Sequence, residues 1–189
     1  MPRIADASLS DRILDATYDL LHEKGIAALT LREVALHAET TTPTVYARYA
    51  TKEDLLLSLA DRIRKELVAE IMQQPTLLKA CRRYLEVAME RPQDYKLMFE
   101  VGWPNMFTPQ VGITWSREHF AELYGGSAND YAQVVDCLWM ELHGGASFLF
   151  KASTPALRKQ LFESCLHSCS VIIENAKLFI GKGRTRKVV

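Results

Sequence analysis

The chain has 189 residues, of which 48% are apolar and 24% are charged, a balance typical of a globular protein rather than of a disordered chain. Lysine plus arginine and aspartate plus glutamate number 23 each, so net charge gives no support for binding to nucleic acid. Such binding would have to rest on local placement of charge. No apolar run reaches the roughly 18 residues of a membrane-spanning helix, so the sequence predicts no contact with a membrane.

The four cysteines, at positions 81, 137, 165 and 169, form no CxxC pair. The N-terminal residues lack the apolar region of a signal peptide, and free thiols are typical of a reducing compartment. We therefore expect a cytoplasmic protein. Cys165, His167 and Cys169 invite a metal site, but His167 points away from the helix face that the cysteines share, and closed sites need three or four convergent ligands. The sequence thus predicts no metal and no cofactor.

The first predicted element is a helix that Ser10 or Asp11 caps and that Gly25 ends. Mostly apolar residues recur along it at helical spacing and predict one buried stripe. The residues of this stripe are Ile13, Leu14, Thr17, Leu20 and Leu21.

Two short helices joined by a tight turn follow, and this layout predicts a helix-turn-helix. Thr30 can cap the first of them, and Glu33, three positions later, completes a capping box. The second helix is predicted to open at Thr41 or Thr42 and to extend to Tyr49.

The side chains that face outward from these two helices suit a DNA surface. Hydroxyl groups can bond phosphate oxygens, an arginine can bond a phosphate or a guanine edge, and Lys52 can hold the DNA backbone. An ordinary helical hairpin with a threonine-rich cap is the alternative. The predicted DNA-binding residues are Thr30, Arg32, Thr41, Thr42, Pro43, Thr44, Tyr46, Arg48, Tyr49 and Lys52.

This stretch resembles the DNA-binding domain of the TetR family of bacterial transcriptional regulators. The turn departs from the family pattern, because Glu39 and Thr40 stand where the family has a glycine and an apolar residue. A residue other than glycine is strained there if its φ is positive, and an acidic group could repel phosphate. The residues that match the family pattern are Thr30, Arg32, Val34, Ala35, Ala38, Thr41, Thr44, Val45, Tyr46, Tyr49, Lys52, Glu53 and Leu55.

The rest of the chain predicts long helices without strands. We expect an all-α protein with a helix-turn-helix DNA-binding domain at residues 1–52 and a helical ligand-binding and dimerisation domain at residues 53–189. Thr51 can cap a first linker helix that continues to about residue 72. Further helices are predicted from about Thr76 to Arg91, Pro92 to Val101, Pro109 to Tyr124, Ala128 to Lys151 and Thr154 to Ile180.

The last two predicted helices have broad apolar faces, which can serve both a core and a partner subunit. Gly144, Gly145 and Ala146 would let another helix approach closely. Two such helices from each of two subunits would form a four-helix interface, so we expect a homodimer.

Large aromatic residues are concentrated in the middle of the C-terminal part, some of them in the predicted loop 102–109, where large apolar groups need a reason. Core packing is the alternative for this set. The segment Leu138 to Ala146 resembles a Trp…His-Gly signature in the ligand domain of one TetR subgroup. The candidate contacts of a small apolar or aromatic effector are Tyr95, Trp103, Phe107, Trp115, His119, Trp139 and His143.

The resemblance implies a regulator rather than an enzyme. It implies a ligand-responsive repressor that binds a palindromic, double-stranded DNA operator as a dimer. Two alternatives stay open. One is a helical small-molecule-binding or enzymatic protein that no longer contacts DNA, with Glu39 as its sign. The other is a dimeric adaptor for protein partners.

Overall fold

The computed structural model describes residues 7–101 and 111–180. Within these ranges it contains nine α-helices, two short 3-10 helices (Ala128–Tyr131 and Ala176–Leu178) and no strand, which confirms the predicted all-α fold. The α-helices are α1 (Ala7–Ala28), α2 (Leu31–His37), α3 (Thr42–Tyr46), α4 (Lys52–Met72), α5 (Leu77–Glu90), α6 (Pro92–Glu100), α7 (Val111–Tyr124), α8 (Ala132–Lys151) and α9 (Pro155–Glu174).

The first and last helices differ from their predicted bounds, α1 at both ends (Ala7–Ala28) and α9 at its C-terminal end. α1 begins at Ala7, before the predicted cap, and Gly25 interrupts it with a φ of 76°, a backbone angle that favours glycine. α9 ends at Glu174 rather than at Ile180. The Asn175 side chain donates a hydrogen bond of 2.8 Å to the Val171 carbonyl, so a local side-chain contact accompanies the end of the helix.

The chain divides into two compact units. The first unit contains the chain up to Glu66 together with α6, and the second contains Leu67–Glu90 and the helices from α7 onward. The division falls within α4, so this helix belongs to both units. The predicted domain boundary after residue 52 lies at the start of the same helix and stays a prediction.

The core of the first unit lies where α1, α2, α3 and the start of α4 meet. Its members are buried aliphatic and aromatic side chains that recur at helical spacing, as the sequence predicts for the first two helices. They are Ile13, Ala16, Leu20, Leu29, Leu31, Val34, Ala35, Ala38, Val45, Tyr49 and Leu55.

The second unit is held together by the packing of α5, α8 and α9. Gly145 on α8 is required for this packing, because a Cβ atom built there would overlap the Cys165 side chain on α9. Cys169 is fully buried and hydrogen-bonds both Cys165 and Cys81. The bond to Cys169 and burial raise the pKa of Cys165 well above its usual value, so this thiol stays protonated and serves the core.

No helix in residues 7–101 and 111–180 is both long enough and apolar enough to cross a membrane.

Candidate nucleic-acid interface

The capping box predicted at the start of α2 is present. The Glu33 amide donates a hydrogen bond of 3.3 Å to the Thr30 hydroxyl oxygen, and the Thr30 amide donates one of 3.2 Å to Glu33 Oε2. The Thr30 hydroxyl also donates to Glu33 Oε2 at 2.7 Å. Hydrogen bonds from Lys24 and from Thr30 hold the pKa of Glu33 at about 2. These groups therefore stabilise the helix start, and the Thr30 hydroxyl is already engaged.

The turn between α2 and α3 has a left-handed residue. Glu39 has a φ of 50°, and no other residue except glycine in the described ranges has a positive φ. The turn is stabilised by backbone bonds, one of 3.2 Å from the Glu39 amide to the Leu36 carbonyl and one of 2.9 Å from the Thr40 amide to the Ala35 carbonyl. Glu39 thus has a positive φ, at which a residue other than glycine is strained, and its side chain is exposed.

The recognition helix α3 is short and is capped by Thr41. The Thr44 amide donates a hydrogen bond of 3.3 Å to the Thr41 hydroxyl oxygen, and the two threonine hydroxyls are 2.8 Å apart. α3 ends at Tyr46 instead of the predicted Tyr49. The reason is that its last turn tightens, with the Arg48 amide bonding the Val45 carbonyl at 3.0 Å.

Three of the predicted contact residues at or beyond the end of α3 already have structural roles. Arg48 is half-buried, and its Nε donates a hydrogen bond of 3.3 Å to the Ser10 hydroxyl oxygen. Lys52 donates a hydrogen bond of 2.6 Å from Nζ to the Ile26 carbonyl. Tyr49 is 9% exposed and belongs to the core. These side chains hold the first unit together.

Four of the predicted contact residues stay available on the surface. Tyr46 is 52% exposed, Arg32 and Pro43 are exposed, and Thr42 is half-buried. Within the described part of the chain, the side chains of Tyr46, Arg32 and Thr42 have no hydrogen-bond or ionic partner. The structure therefore leaves one aromatic hydroxyl, one guanidinium group and one aliphatic hydroxyl free on α2 and α3.

Two exposed residues at the end of α2 were not predicted as site residues. Leu36 is 75% exposed, and His37 beside it is also exposed. Both fall outside the buried stripe of α2, formed by Leu31, Val34 and Ala35. The helical spacing of this buried stripe is the sequence feature that could have predicted the exposure of Leu36 and His37.

Four of the predicted effector contacts form two pairs of neighbouring rings, one tilted by 37° (Trp115 and His119) and one stacked (Trp139 and His143). Trp115 and His119 on α7 have ring centroids 4.2 Å apart, and Trp139 and His143 on α8 have centroids 5.3 Å apart. All four are half-buried members of the second unit, and burial lowers the pKa of His143. Tyr95 is buried on α6 and belongs to the first unit instead.

The other two predicted effector contacts, Trp103 and Phe107, lie outside the described residues. Among the residues that the structure describes, no group of three histidine, cysteine, aspartate or glutamate side chains could hold a metal ion.

Comparison with known proteins finds one family to which the region of the helix-turn-helix is similar. Residues 13–59 match the family described as bacterial regulatory proteins, tetR family. The comparison with curated protein sequences gives no match.

The fold of the whole chain is similar to that of solved TetR-family regulators. A TetR-family transcriptional regulator from Streptomyces coelicolor has a TM-score of 0.67 at 20% identity, with 89% of this chain and 99% of that chain covered. A TetR protein from Acinetobacter baumannii AYE, solved with minocycline, has a TM-score of 0.66 at 13% identity, covering 90% and 97%. The multidrug binding protein EbrR, solved with imidazole, has a TM-score of 0.58 at 22% identity, covering 98% and 96%.

Proposed function

We propose that this chain is a TetR-family transcriptional regulator that binds a specific double-stranded DNA sequence through α2 and α3. The observation that carries the proposal is the helix-turn-helix within residues 13–59, with free polar side chains on both of its helices. In a helix-turn-helix the second helix enters the major groove, and the first crosses the backbone. This arrangement assigns α3 to base edges and the start of α2 to phosphate.

The four available side chains have distinct roles in this proposal. Tyr46 and Thr42 on α3 offer hydroxyl groups to base edges or phosphates, and Pro43 adds an apolar contact. Arg32, in the first turn of α2, neutralises a phosphate. Thr30, Thr41, Thr44, Arg48, Tyr49 and Lys52 support the surface from within the fold, so their contribution to DNA binding is mainly indirect.

We also propose a homodimer formed through α8 and α9. Both helices have exposed apolar side chains, among them Met140 and Phe148 on α8 and Val171 on α9. A Cβ atom built at Gly144 would meet no atom of its own chain within 4 Å, so a partner helix could approach closely there. A two-fold symmetric dimer would bind a palindromic operator.

Control by a small molecule is the third part of the proposal. The solved structures of a similar fold in complex with minocycline and with imidazole support the binding of a small molecule. The two aromatic–histidine pairs of α7 and α8 would contact a mostly apolar or aromatic effector. Ligand binding would lower operator affinity about 5- to 150-fold, as is typical of allosteric coupling. Repression is the mode of action that we propose.

The subgroup suggested by Trp139, His143 and Gly144 stays a prediction.

A helical small-molecule-binding protein without DNA contact is the second candidate. Two observations favour it: the exposed, strained Glu39 in the turn, and the engagement of Arg48 and Lys52 inside the fold. Fewer free cations mean fewer phosphate contacts and weaker binding to any DNA.

Selection of duplexes from a random-sequence pool by the purified protein separates the two candidates. The proposed function predicts enrichment of one palindromic sequence, and gel-shift assays should then show binding to the matching site upstream of a gene. A protein that enriches no sequence, while still binding apolar aromatic compounds by tryptophan fluorescence, would be the second candidate.

A further inference from the structure

A buried carboxylate joins α6 to α1 within the first unit. Asp94, in the first turn of α6, is only 1% exposed. Its Oδ1 lies 2.7 Å from Nε2 of His22, and its Oδ2 accepts a hydrogen bond of 3.3 Å from the Tyr18 hydroxyl. These three residues form what we call the Asp94 cluster. Asp94 is 72 positions from His22 and 76 from Tyr18 in the chain, so the cluster is a tertiary contact.

The two partners of Asp94 lie on one face of α1. Tyr18 and His22 are four residues apart, a spacing that makes helix side chains neighbours, and their ring centroids are 4.4 Å apart. Burial and the nearby Asp94 carboxylate raise the pKa of Tyr18, so its hydroxyl stays a hydrogen-bond donor. A buried carboxylate is strongly destabilised unless it is paired. Asp94 therefore depends on α1 for both of its partners.

α6 belongs to the first unit, although α5 and α7, its neighbours in sequence, belong to the second. The contact between Asp94 and α1 therefore lies entirely within the first unit, where it fixes α6 against α1.

α1 in turn supports the candidate DNA surface. It packs against α2, and its Ser10 hydroxyl accepts the hydrogen bond from Arg48. A surface that is already ordered loses less conformational entropy when it binds its partner. Holding α1 in place should therefore strengthen binding by α2 and α3.

We propose that Asp94 is a positioning residue for DNA binding, which acts through His22 and Tyr18 on α1. This inference rests on the proposed function and adds to it a residue outside α2 and α3 on which DNA binding depends.

Hydrogen exchange followed by mass spectrometry tests the structural part without DNA. In Asp94→Ala, the amides of α1 and α6 should exchange faster together, while those of α8 and α9 stay unchanged. Asp19→Ala is the matched control, because it removes an exposed carboxylate from α1, at the position next to Tyr18. Faster exchange in α6 alone, with α1 unaffected, would overturn the inference.

DNA affinity tests the functional part, with a duplex that the wild-type protein selects from a random pool as the probe. Asp94→Ala should weaken binding about fivefold or more, and Asp19→Ala should leave it unchanged. Asp94→Asn keeps the shape and the hydrogen-bonding capacity without the charge. Asp94→Asn should weaken DNA binding less than Asp94→Ala does, and it replaces the alanine variant in this test if that variant does not fold.

Rescue by the conservative variant separates a positioning role from a general loss of stability, because Asp94→Asn can still hydrogen-bond His22 and Tyr18, whereas Asp94→Ala cannot.

The outcomes distinguish this inference from the proposed function. If the wild type selects no duplex, the proposed function fails, and the positioning role fails with it. If the wild type binds its duplex and Asp94→Ala binds equally well, only the positioning role is overturned. An Asp94→Asn protein that binds the duplex as weakly as Asp94→Ala would also contradict it.

Discussion

The helix-turn-helix and the α5–α8–α9 packing of the second unit are stabilised in different ways. In the first, polar side chains cap the helix starts: Thr30 with Glu33 at α2, Thr41 with Thr44 at α3, and Thr51 with Asp54 at α4. In the second, long helices pack through apolar side chains and a close approach at Gly145. In the first region, many of the polar surface side chains stabilise the fold itself, whereas the second region leaves apolar side chains exposed.

This difference indicates which kind of partner each region can bind with its exposed side chains. In the helix-turn-helix, the free groups are few and polar, among them Tyr46 and Arg32, which suits a polar partner such as DNA. On α8 and α9, the exposed groups are apolar, such as Phe148 at 61% and Val171 at 45%, which suits a second copy of the same surface. Each of the following predictions changes one region and leaves the other as a control.

The largest effect is expected from a charge placed on the exposed apolar face of α9. Val171→Arg should abolish the dimer, because an unpaired buried ion costs several kcal/mol even after relaxation. Light scattering at micromolar concentration measures the change. Leu123→Arg, at another exposed apolar position, on α7, is the matched control and should stay dimeric. A dimeric Val171→Arg protein would move the interface away from this face.

A large side chain at the close approach between α8 and α9 should destabilise the second unit. Gly145→Leu would overlap Cys165 and should lower the free energy of unfolding by about 3 kcal/mol. Gly112→Ala, on α7, is the control, because a Cβ atom built there lies 3.5 Å from the Val68 side chain, an ordinary contact distance. It should keep or slightly raise the stability in circular dichroism melts. Equal losses in the two variants would contradict the packing described for Gly145.

Alanine substitutions of Tyr46 and Arg48 should distinguish a side chain that contacts DNA from one that stabilises the fold. Tyr46→Ala should weaken binding to the selected duplex by about 1–3 kcal/mol, as for a good base contact, without changing the melting temperature. Arg48→Ala removes the bond to Ser10 and should lower stability as well as affinity. Paired melts and fluorescence-anisotropy titrations measure both quantities. An Arg48→Ala protein with full stability and weak binding would make Arg48 a direct contact.

The smallest effect is expected at the turn. Glu39 has a φ of 50°, and the left-handed conformation costs an ordinary residue about 1–2 kcal/mol, a cost that glycine avoids. Glu39→Gly should therefore raise the free energy of unfolding by about 1 kcal/mol. Glu39→Gln keeps the strain and removes the charge, so it should leave stability unchanged. Denaturant unfolding would contradict this account if the glycine variant were less stable than the glutamine variant.

The features that the sequence predicted correctly are local ones. The capping box of Thr30 and Glu33, the cap at Thr41 and the break at Gly25 each depend on residues a few positions apart, so spacing alone reveals them. The available positions Tyr46 and Arg32 follow from helical periodicity in the same way. The DNA contacts themselves stay predictions.

The features that the sequence did not predict depend on tertiary contacts. The bond from Arg48 to Ser10 and the Asp94 cluster join positions 38 and more than 70 residues apart. Cys169 lies on the last predicted helix, whose apolar face is broad enough for both a core and a partner subunit. In the structure it is fully buried against Cys165 and Cys81 of its own chain. A helical repeat shows that a face is apolar, but it does not show which neighbour covers it.

The most direct test of DNA recognition is an anisotropy titration of the wild-type protein against two duplexes, the selected sequence and a scrambled one of equal composition. The account predicts that the selected duplex is bound about a thousandfold more tightly, within the range typical of specific regulators, with two chains per duplex. Equal affinity for the two duplexes at physiological salt would contradict it.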